Sequence, residues 1–203
     1  DDEGPLTDAV EAFLNKQQHL TVRRHGDTLV ASTNFGRERR VILAGHLDTV
    51  PVIDNFPPRW LEPGAPLIRE DVAAGHGRER VIWGRGATDM KGSDAVMMYL
   101  AAALTDAKYD LTYVFYDHEE VAAEKNGLRK VVEAHPDWIS GDFAIIGEPT
   151  DCGIEGGCNG TMRFDVITHG IAAHSARAWM GRNAIHAAAE ILSRLNAYEN
   201  RAI

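Results

Sequence analysis

Cysteine and long apolar runs are scarce in this sequence. The two cysteines, Cys152 and Cys158, form no CxxC pair and are too few for a disulfide scaffold, so we expect reduced thiols in a cytoplasmic protein. No apolar run approaches the ~20 residues of a membrane-spanning helix, which argues against a membrane protein. The acidic first residues lack the apolar core of a signal peptide.

Positively charged residues are also fewer than negatively charged ones. Lys and Arg number 21 against 30 Asp and Glu, and the formal net charge is −9. Because there is no basic tract to displace counterions from phosphates, we expect neither nucleic acid nor an anionic membrane as a partner. The 44% hydrophobic and 25% charged shares are those of an ordinary globular protein.

Hydrophobic spacing predicts the local elements of the first half. Apolar residues at helical spacing predict an amphipathic helix near the start, with Asp8 and Glu11 placed to cap it. Two extended runs on either side of Gly26 predict a β-hairpin. Residues 52–77 show no period, which predicts a long loop. Ser93 is placed to cap a helix of about three turns.

Polar residues follow a series of apolar runs that are typical of buried strands. The runs cover residues 41–43, 81–83, 111–116 and 143–146, and the residues that follow them are His46 and Asp48, Asp89, Glu119 and Glu120, and Glu148. Apolar strands that alternate with helices predict an α/β sheet covered on both faces.

The pattern changes near residue 157. Met162, Phe164 and Val166 alternate with polar residues, which predicts a strand with one face less buried. A loop and an amphipathic helix follow. We therefore predict one domain over residues 1–156 and the beginning of a second over residues 157–203.

The strand-end residues predict a metal site. In open α/β sheets the loops at the carboxyl ends of the strands meet at one edge. Crowded carboxylates raise one another's pKa values unless a cation neutralises them. Imidazole and carboxylate ligands without thiolate suit a catalytic zinc, cobalt or manganese ion. In the H-x-D motif, Asp48 is placed to orient the His46 ring through its second nitrogen.

Each of these residues also has an ordinary structural explanation. Asp89 and Glu148 could form turns, His46 could be a satisfied buried histidine, and Glu119 and Glu120 could begin a solvated helix. On an extended segment, however, Glu119 and Glu120 project in different directions, so one can bind metal while the other acts as general base. The coincidence of four polar strand ends favours the metal site.

Five motifs, in this order, resemble a known family. They are GHLDTVP at 45–51, GRGATDMKG at 84–92, the pair at 119–120, GEPT at 147–150 and GIAAHSARAWMGRNA at 170–184. They resemble the co-catalytic zinc metallohydrolases of the aminoacylase and carboxypeptidase type, and among these most closely the succinyl-diaminopimelate desuccinylases. The resemblance implies a mixed sheet flanked by helices, as in zinc aminopeptidases, for a catalytic domain, followed by the start of a smaller α+β lid and dimerisation domain.

The resemblance also implies two divalent metal ions, zinc or cobalt. His46 and Glu148 would bind one ion, Asp89 would bridge both, and Glu120 would bind the second. Glu119 would be the catalytic acid and base. The peptide bond after the bridging aspartate is often cis in this family.

Further catalytic and substrate-binding roles follow from the same resemblance. Asp48 would assist catalysis, and His174, which in dimeric relatives reaches over from the partner subunit, would stabilise the oxyanion. His174, Arg177 and Asn183 would bind substrate. His174 could instead be an ordinary loop histidine, and Arg177 and Asn183 could equally structure the loop. The resemblance thus implies a homodimer formed through the smaller domain.

The implied activity is hydrolysis of a small N-acylated amino acid. N-Succinyl-LL-2,6-diaminopimelate and water would give succinate and LL-2,6-diaminopimelate, in lysine and diaminopimelate biosynthesis. The alternatives are an N-acetylornithine deacetylase, another aminoacylase or dipeptidase of the family, and a non-catalytic binding or dimerisation protein on this fold. The family's second histidine ligand follows the smaller domain, whereas the last histidine here is His186. We therefore expect an N-terminal fragment whose second metal position is incomplete.

Overall fold

The computed structural model describes residues 3–63, 80–157 and 162–199. Two compact units make up the chain, Asp1–Ile154 and Glu155–Ile203. The assignment of residues 1–156 to a catalytic domain and of 157–203 to a lid domain stays a prediction. Among the described helices, none combines the length and the apolar character needed to traverse a lipid bilayer.

A helix and a β-hairpin open the first unit, as predicted. They are α1 (Gly4–Leu14), β1 (Leu20–His25) and β2 (Thr28–Thr33). The hairpin turn places Gly26 at a φ of +62°, a conformation that glycine adopts without steric cost.

The predicted cap of α1 is wrong. The helix begins at Gly4, with Pro5 in its first turn, and no side chain caps it. Asp8 and Glu11 lie within the helix and accept hydrogen bonds from Nη1 of Arg24 at 2.6 and 2.8 Å. Proline suits the first helical turn, where its missing N–H would have no partner. The two acidic residues therefore tie α1 to the hairpin rather than capping it.

A five-stranded mixed sheet forms the centre of the first unit. Its remaining strands and the other elements of this unit are β3 (Arg40–His46), β4 (Arg59–Leu61), β5 (Val81–Trp83), α2 (Gly92–Ala103), β6 (Asp110–Tyr116), α3 (Gly127–Ala134) and β7 (Phe143–Ile146). The strand order is β1-β2-β6-β3-β7. The β1–β2 and β2–β6 pairs are antiparallel, and β3 runs parallel to both β6 and β7. The predicted mixed α/β sheet is confirmed.

Helices cover both faces of the central strands, but the apolar edge strand β7, which was predicted to be buried, is exposed along its length because it lies at the edge of the sheet. On one face α1 and α2 pack against alternate strand residues, and on the other face α3 packs against the intervening ones. The first cluster includes Val10, Leu14, Met97, Ala101, Leu29, Ala31, Tyr113 and Phe115, and the second includes Val131, Val30, Ala44, Val114 and Tyr116. Burial on both faces explains why the central strands are apolar throughout.

The predicted loop at 52–77 contains a strand. Arg59–Leu61 pairs antiparallel with Val81–Trp83, while residues 64–79 lie outside the described part of the chain. The guanidinium of Arg59 lies 4.6 Å from the centre of the Trp83 ring, and that of Arg80 lies 4.4 Å from the Trp60 ring. Such cation–π contacts stabilise a short strand pair that has no hydrophobic period.

The start of α2 also differs from the prediction. Ser93 does not cap the helix, which begins at Gly92 with no capping side chain. It continues directly from an irregular helical turn, Ala87–Lys91. This turn carries Asp89, so α2 and the predicted metal ligand form one continuous segment.

Three short helical segments lie in the described part of the second unit. They are a 3₁₀ segment (Ser175–Met180), α4 (Ala184–Ala187) and α5 (Ala189–Asn196). The predicted amphipathic helix is thus present as two short helices. The predicted strand from Met162 to Val166 is not formed. A strand needs a neighbour to satisfy its backbone groups, and in the described part of this unit the only bridge outside named strands pairs Ile171 with Arg182.

Candidate metal centre

Three parallel strands bring the predicted site residues to one edge of the sheet. His46, at the end of β3, lies opposite Tyr116 at the end of β6, and Ala44 lies opposite Ile146 at the end of β7. The segments that follow these strands therefore emerge side by side. They carry Asp48, the glutamate pair at 119–120 and Glu148.

The His46 imidazole is the buried centre of this group, with 1% of its surface exposed. Its Nε2 lies 3.0 Å from Oδ1 of Asp89 and 3.8 Å from Oε1 of Glu148. Its Nδ1 lies 3.2 Å from the backbone oxygen of Asp48 and 3.4 Å from Oδ1 of that residue. The ring thus turns one nitrogen to the carboxylates and the other to Asp48, which is the orientation of a metal-ligating histidine.

A compact set of donor atoms surrounds Nε2. His46, Asp89 and Glu120 each offer one ligand atom, and these atoms lie within 4.8 Å of one another. Glu148 approaches the same nitrogen from β7. One imidazole with carboxylates is a donor set that fits zinc or cobalt. The peptide bond between Asp89 and Met90 is cis, as the resemblance implied.

The electrostatics of this group also fit a cation. Burial raises the pKa of Glu120 and of Glu148, and the charge of Asp89 raises each pKa further. Burial by itself would lower the pKa of His46, but hydrogen bonds with Asp48 and Asp89 and the charge of Glu148 together raise that pKa to about 9. A divalent ion at this place would favour the ionised carboxylates and the neutral imidazole.

Asp48 has a second set of contacts that sequence reasoning missed. Its carboxylate accepts hydrogen bonds from the backbone N–H groups of Glu119 and Glu120, both at 2.9 Å. Burial would raise the pKa of Asp48, but the hydrogen bonds with His46 and with these two N–H groups lower it to about 2. Asp48 therefore holds the predicted ligand His46 and the backbone of the predicted base Glu119 together.

Two further charged residues beside the site were missed as well. Lys91 ends the turn that carries Asp89, and Asp94 lies buried in the first turn of α2. Lys91 is part of the GRGATDMKG motif, which marks the segment as part of the family pattern but does not indicate which residues the lysine contacts. Nothing in the local sequence around Asp94 indicates that a helical aspartate would be buried.

The remaining predicted residues lie in the second unit. Nδ1 of His174 accepts a hydrogen bond from the backbone N–H of Ala176 at 3.1 Å. Oδ1 of Asn183 accepts one from the N–H of Ile185 at 2.8 Å and so caps α4. A cavity of about 340 Å³ in this unit is lined by His174 and Asn183, among others. Arg177 lies in the 3₁₀ segment. Roles for these residues in substrate binding stay predictions.

The fold and the donor set define a class of protein, an α/β domain whose sheet edge carries the imidazole and carboxylate donors of a candidate metal site. Residues 42–199 match the model of peptidase family M20/M25/M40, and the chain belongs to this family.

Two bacterial relatives match nearly the whole chain. The chain is 44% identical over 202 residues to the "Putative succinyl-diaminopimelate desuccinylase DapE" of Mycobacterium tuberculosis. The alignment covers 99% of this chain and 52% of that protein. The chain is 42% identical over 202 residues to the succinyl-diaminopimelate desuccinylase of Corynebacterium glutamicum, and this alignment covers 97% of this chain and 50% of that protein. The chain thus spans about half the length of these curated relatives.

One solved structure supports the fold alone. Human carnosine dipeptidase 1 aligns with a TM-score of 0.50 at 18% identity, over 71% of this chain and 32% of that chain.

Proposed function

We propose that this chain belongs to a metal-dependent amide hydrolase that converts N-succinyl-LL-2,6-diaminopimelate to succinate and LL-2,6-diaminopimelate. The observation that carries the proposal is the convergence of ligand atoms from His46, Asp89 and Glu120 within 4.8 Å. The 42% and 44% identity to proteins named for this reaction supports the substrate. Membership of the M20/M25/M40 family supports hydrolysis.

The metal ions would be held by the strand-end residues. His46 and Glu148 would bind one divalent ion, Glu120 would bind a second, and Asp89 would lie between them. Zinc or cobalt suits these donors. Such an ion supplies a Lewis acid that polarises the amide carbonyl and makes water a stronger acid.

Glu119 would move the protons of the reaction. It would accept a proton from the attacking water as the new C–O bond forms, and donate that proton to the amide nitrogen as the C–N bond breaks. The second transfer is needed because an amide anion is a poor leaving group. Asp48 accepts a hydrogen bond from the backbone N–H of Glu119. The Glu119 carboxylate would therefore be positioned by a residue at the edge of the sheet.

The second unit would supply substrate contacts. His174 would donate a hydrogen bond to the oxyanion, from the partner subunit of a homodimer. Arg177 has the planar guanidinium that suits a substrate carboxylate, and Asn183 would contribute a further polar contact. The resemblance of residues 170–184 to the family motif supports these roles.

A comparison of two substrates tests the proposal. The protein at the full length of its relatives, loaded with zinc, is assayed with N-succinyl-LL-2,6-diaminopimelate and with N-acetylornithine. We expect the higher kcat/KM with the succinylated substrate. A preference for N-acetylornithine would contradict the proposed substrate but not the chemistry, and hydrolysis of neither compound would contradict both of these substrate assignments.

A further inference from the structure

Lys91 connects two segments of the candidate metal centre. Its side-chain Nζ donates a hydrogen bond of 2.8 Å to the backbone oxygen of Leu47, and it lies 3.4 Å from the backbone oxygen of Asp48. Its own backbone N–H donates to the oxygen of Gly86 at 2.9 Å. One residue therefore ties the turn that carries Asp89 to the segment that follows His46.

The space around the Lys91 ammonium is closely packed. Gly86 has a φ of +74°, and a Cβ atom added there would lie 2.7 Å from Cγ2 of Thr49 and 3.2 Å from Nζ of Lys91. These separations leave no room for a side chain at Gly86. The ammonium thus lies between the backbone oxygens of Leu47 and Asp48 on one side and the backbone of Gly86 on the other.

A buried carboxylate, that of Asp94, also lies near this site. The residue is 4% exposed, and among the described residues neither carboxylate oxygen has a hydrogen-bond partner. Burial raises the pKa of Asp94 to about 7, against the effect of the nearby Lys91 ammonium. A Cβ atom at Gly45 would lie 2.5 Å from Oδ1 of Asp94, so this carboxylate lies directly against the residue before His46.

We propose that Lys91 is a positioning residue of the metal centre. Its ammonium holds the backbone oxygens of Leu47 and Asp48, beyond the end of β3, and thereby sets the separation of the His46 and Asp89 ligand atoms. The two ligand residues differ in how firmly they are held. The side chain of His46 is 1% exposed, whereas that of Asp89 is 50% exposed and lies on an irregular turn. A contact that ties this turn to the segment after His46 is therefore needed to fix the position of Asp89. The inference rests on the proposed metal site and is independent of the proposed substrate.

Metal affinity tests this role directly. In the full-length protein, Lys91→Met is compared with Lys108→Met, which removes an exposed lysine beside Tyr109. Zinc affinity is measured by competition with a chromophoric chelator, thermal unfolding is measured on the metal-free protein, and the cobalt-loaded protein gives an absorption spectrum. Loss of a partner behind a metal ligand typically weakens binding by about 10- to 100-fold. We expect that loss and an altered cobalt spectrum for Lys91→Met, and neither change for Lys108→Met.

The possible outcomes separate this inference from the proposed function. Zinc affinity in Lys91→Met equal to that of the wild type would overturn the positioning role, and so would a lower unfolding temperature with unchanged zinc affinity. If Lys91→Met does not fold, Lys91→Gln, whose polar group is one bond shorter, is judged by the same criteria. A wild-type protein that binds no zinc would defeat the metal centre itself and this inference with it.

Discussion

The carboxylate of Asp48 accepts a 2.9 Å hydrogen bond from the backbone N–H of Glu119, a residue 71 positions further along the chain. The same carboxylate lies 3.4 Å from Nδ1 of His46. A single buried side chain thus joins the end of β3 to the segment after β6. The proposed metal ligand and the proposed base are therefore positioned together, and a change at Asp48 is expected to affect both.

Asp48→Asn tests this connection. The amide keeps the size of the side chain but has one oxygen to accept hydrogen bonds, and its NH₂ group would face a backbone N–H. We expect zinc affinity to fall by about 10- to 100-fold, with a lower kcat at saturating zinc. Zinc titration and steady-state kinetics of the full-length protein measure the two effects. The exposed Asp54→Asn serves as the control, and equal behaviour of the two variants would disprove the connection.

Glu119→Ala separates proton transfer from metal binding. Glu119 is not among the three residues whose ligand atoms lie within 4.8 Å of one another. Removal of a general base typically costs about 10²- to 10⁴-fold in rate, so we expect a loss of at least about 10²-fold with zinc affinity retained. The exposed Glu124→Ala is the matched control. If Glu119→Ala hydrolyses substrate at the wild-type rate, another residue must carry the proton.

Gly86→Ala tests the close packing beside Lys91. Both Gly86 and Gly36 have positive φ angles, of +74° and +73°, but a Cβ atom at Gly36 would meet nothing within 4 Å. Gly36→Ala should therefore show the backbone cost alone, about 1–2 kcal/mol. Gly86→Ala should lose more stability than this, because its methyl group would also displace Thr49. Urea unfolding of both variants measures the difference, and equal losses would contradict the packing.

Acid sensitivity is expected from Asp110. This buried carboxylate accepts hydrogen bonds from the N–H groups of Phe35 and Arg37 at 2.7 and 2.8 Å. Burial would raise the pKa of Asp110, but these hydrogen bonds and that from Thr33 lower it below the ordinary range of an aspartate. Because the folded-state pKa is lowered, the stability from Asp110 is present above the unfolded pKa and is lost as the pH falls through the folded value.

Asp110→Asn measures that contribution. Hydrogen bonds to a charged group are worth about 1.5–3 kcal/mol, so we expect the variant to lose stability of this order at pH 7. The difference from the wild type should shrink as the pH falls below about 4. Urea unfolding across this pH range provides the measurement, with the exposed Asp54→Asn as control. A stability difference that stays constant with pH would contradict the assignment.

Much of the first unit could be predicted from local pattern. Helical spacing gives α1, a glycine turn between extended runs gives the hairpin, and continuous apolar runs give β6 and β7. The strand-end rule also placed His46 and Glu148 correctly at one edge of the sheet. Asp89 reaches the site differently, because the strand before it pairs with β4 in a separate two-stranded sheet and the turn before α2 carries the side chain. These predictions succeed because periodicity and turn chemistry act between residues that are near one another in sequence.

Pattern failed where the outcome depends on a distant partner. The alternation at Met162 has the period of a strand, yet no neighbour pairs with that segment in the described part of the second unit. Conversely, Arg59–Leu61 has no clear period but pairs with β5. Whether a segment becomes a strand is thus decided by the backbone groups available beside it.

The sequence by itself determined the residue types of the metal centre and the local elements that carry them. Only the tertiary structure decided that Asp48 reaches the backbone of Glu119, and that Lys91 reaches the backbone of Leu47 across 44 positions. The physical reason is that periodicity reports which face of an element is buried, whereas contacts between strand ends depend on strand order and on how closely the loops pack. Strand order and loop packing depend in turn on the fold of the whole unit.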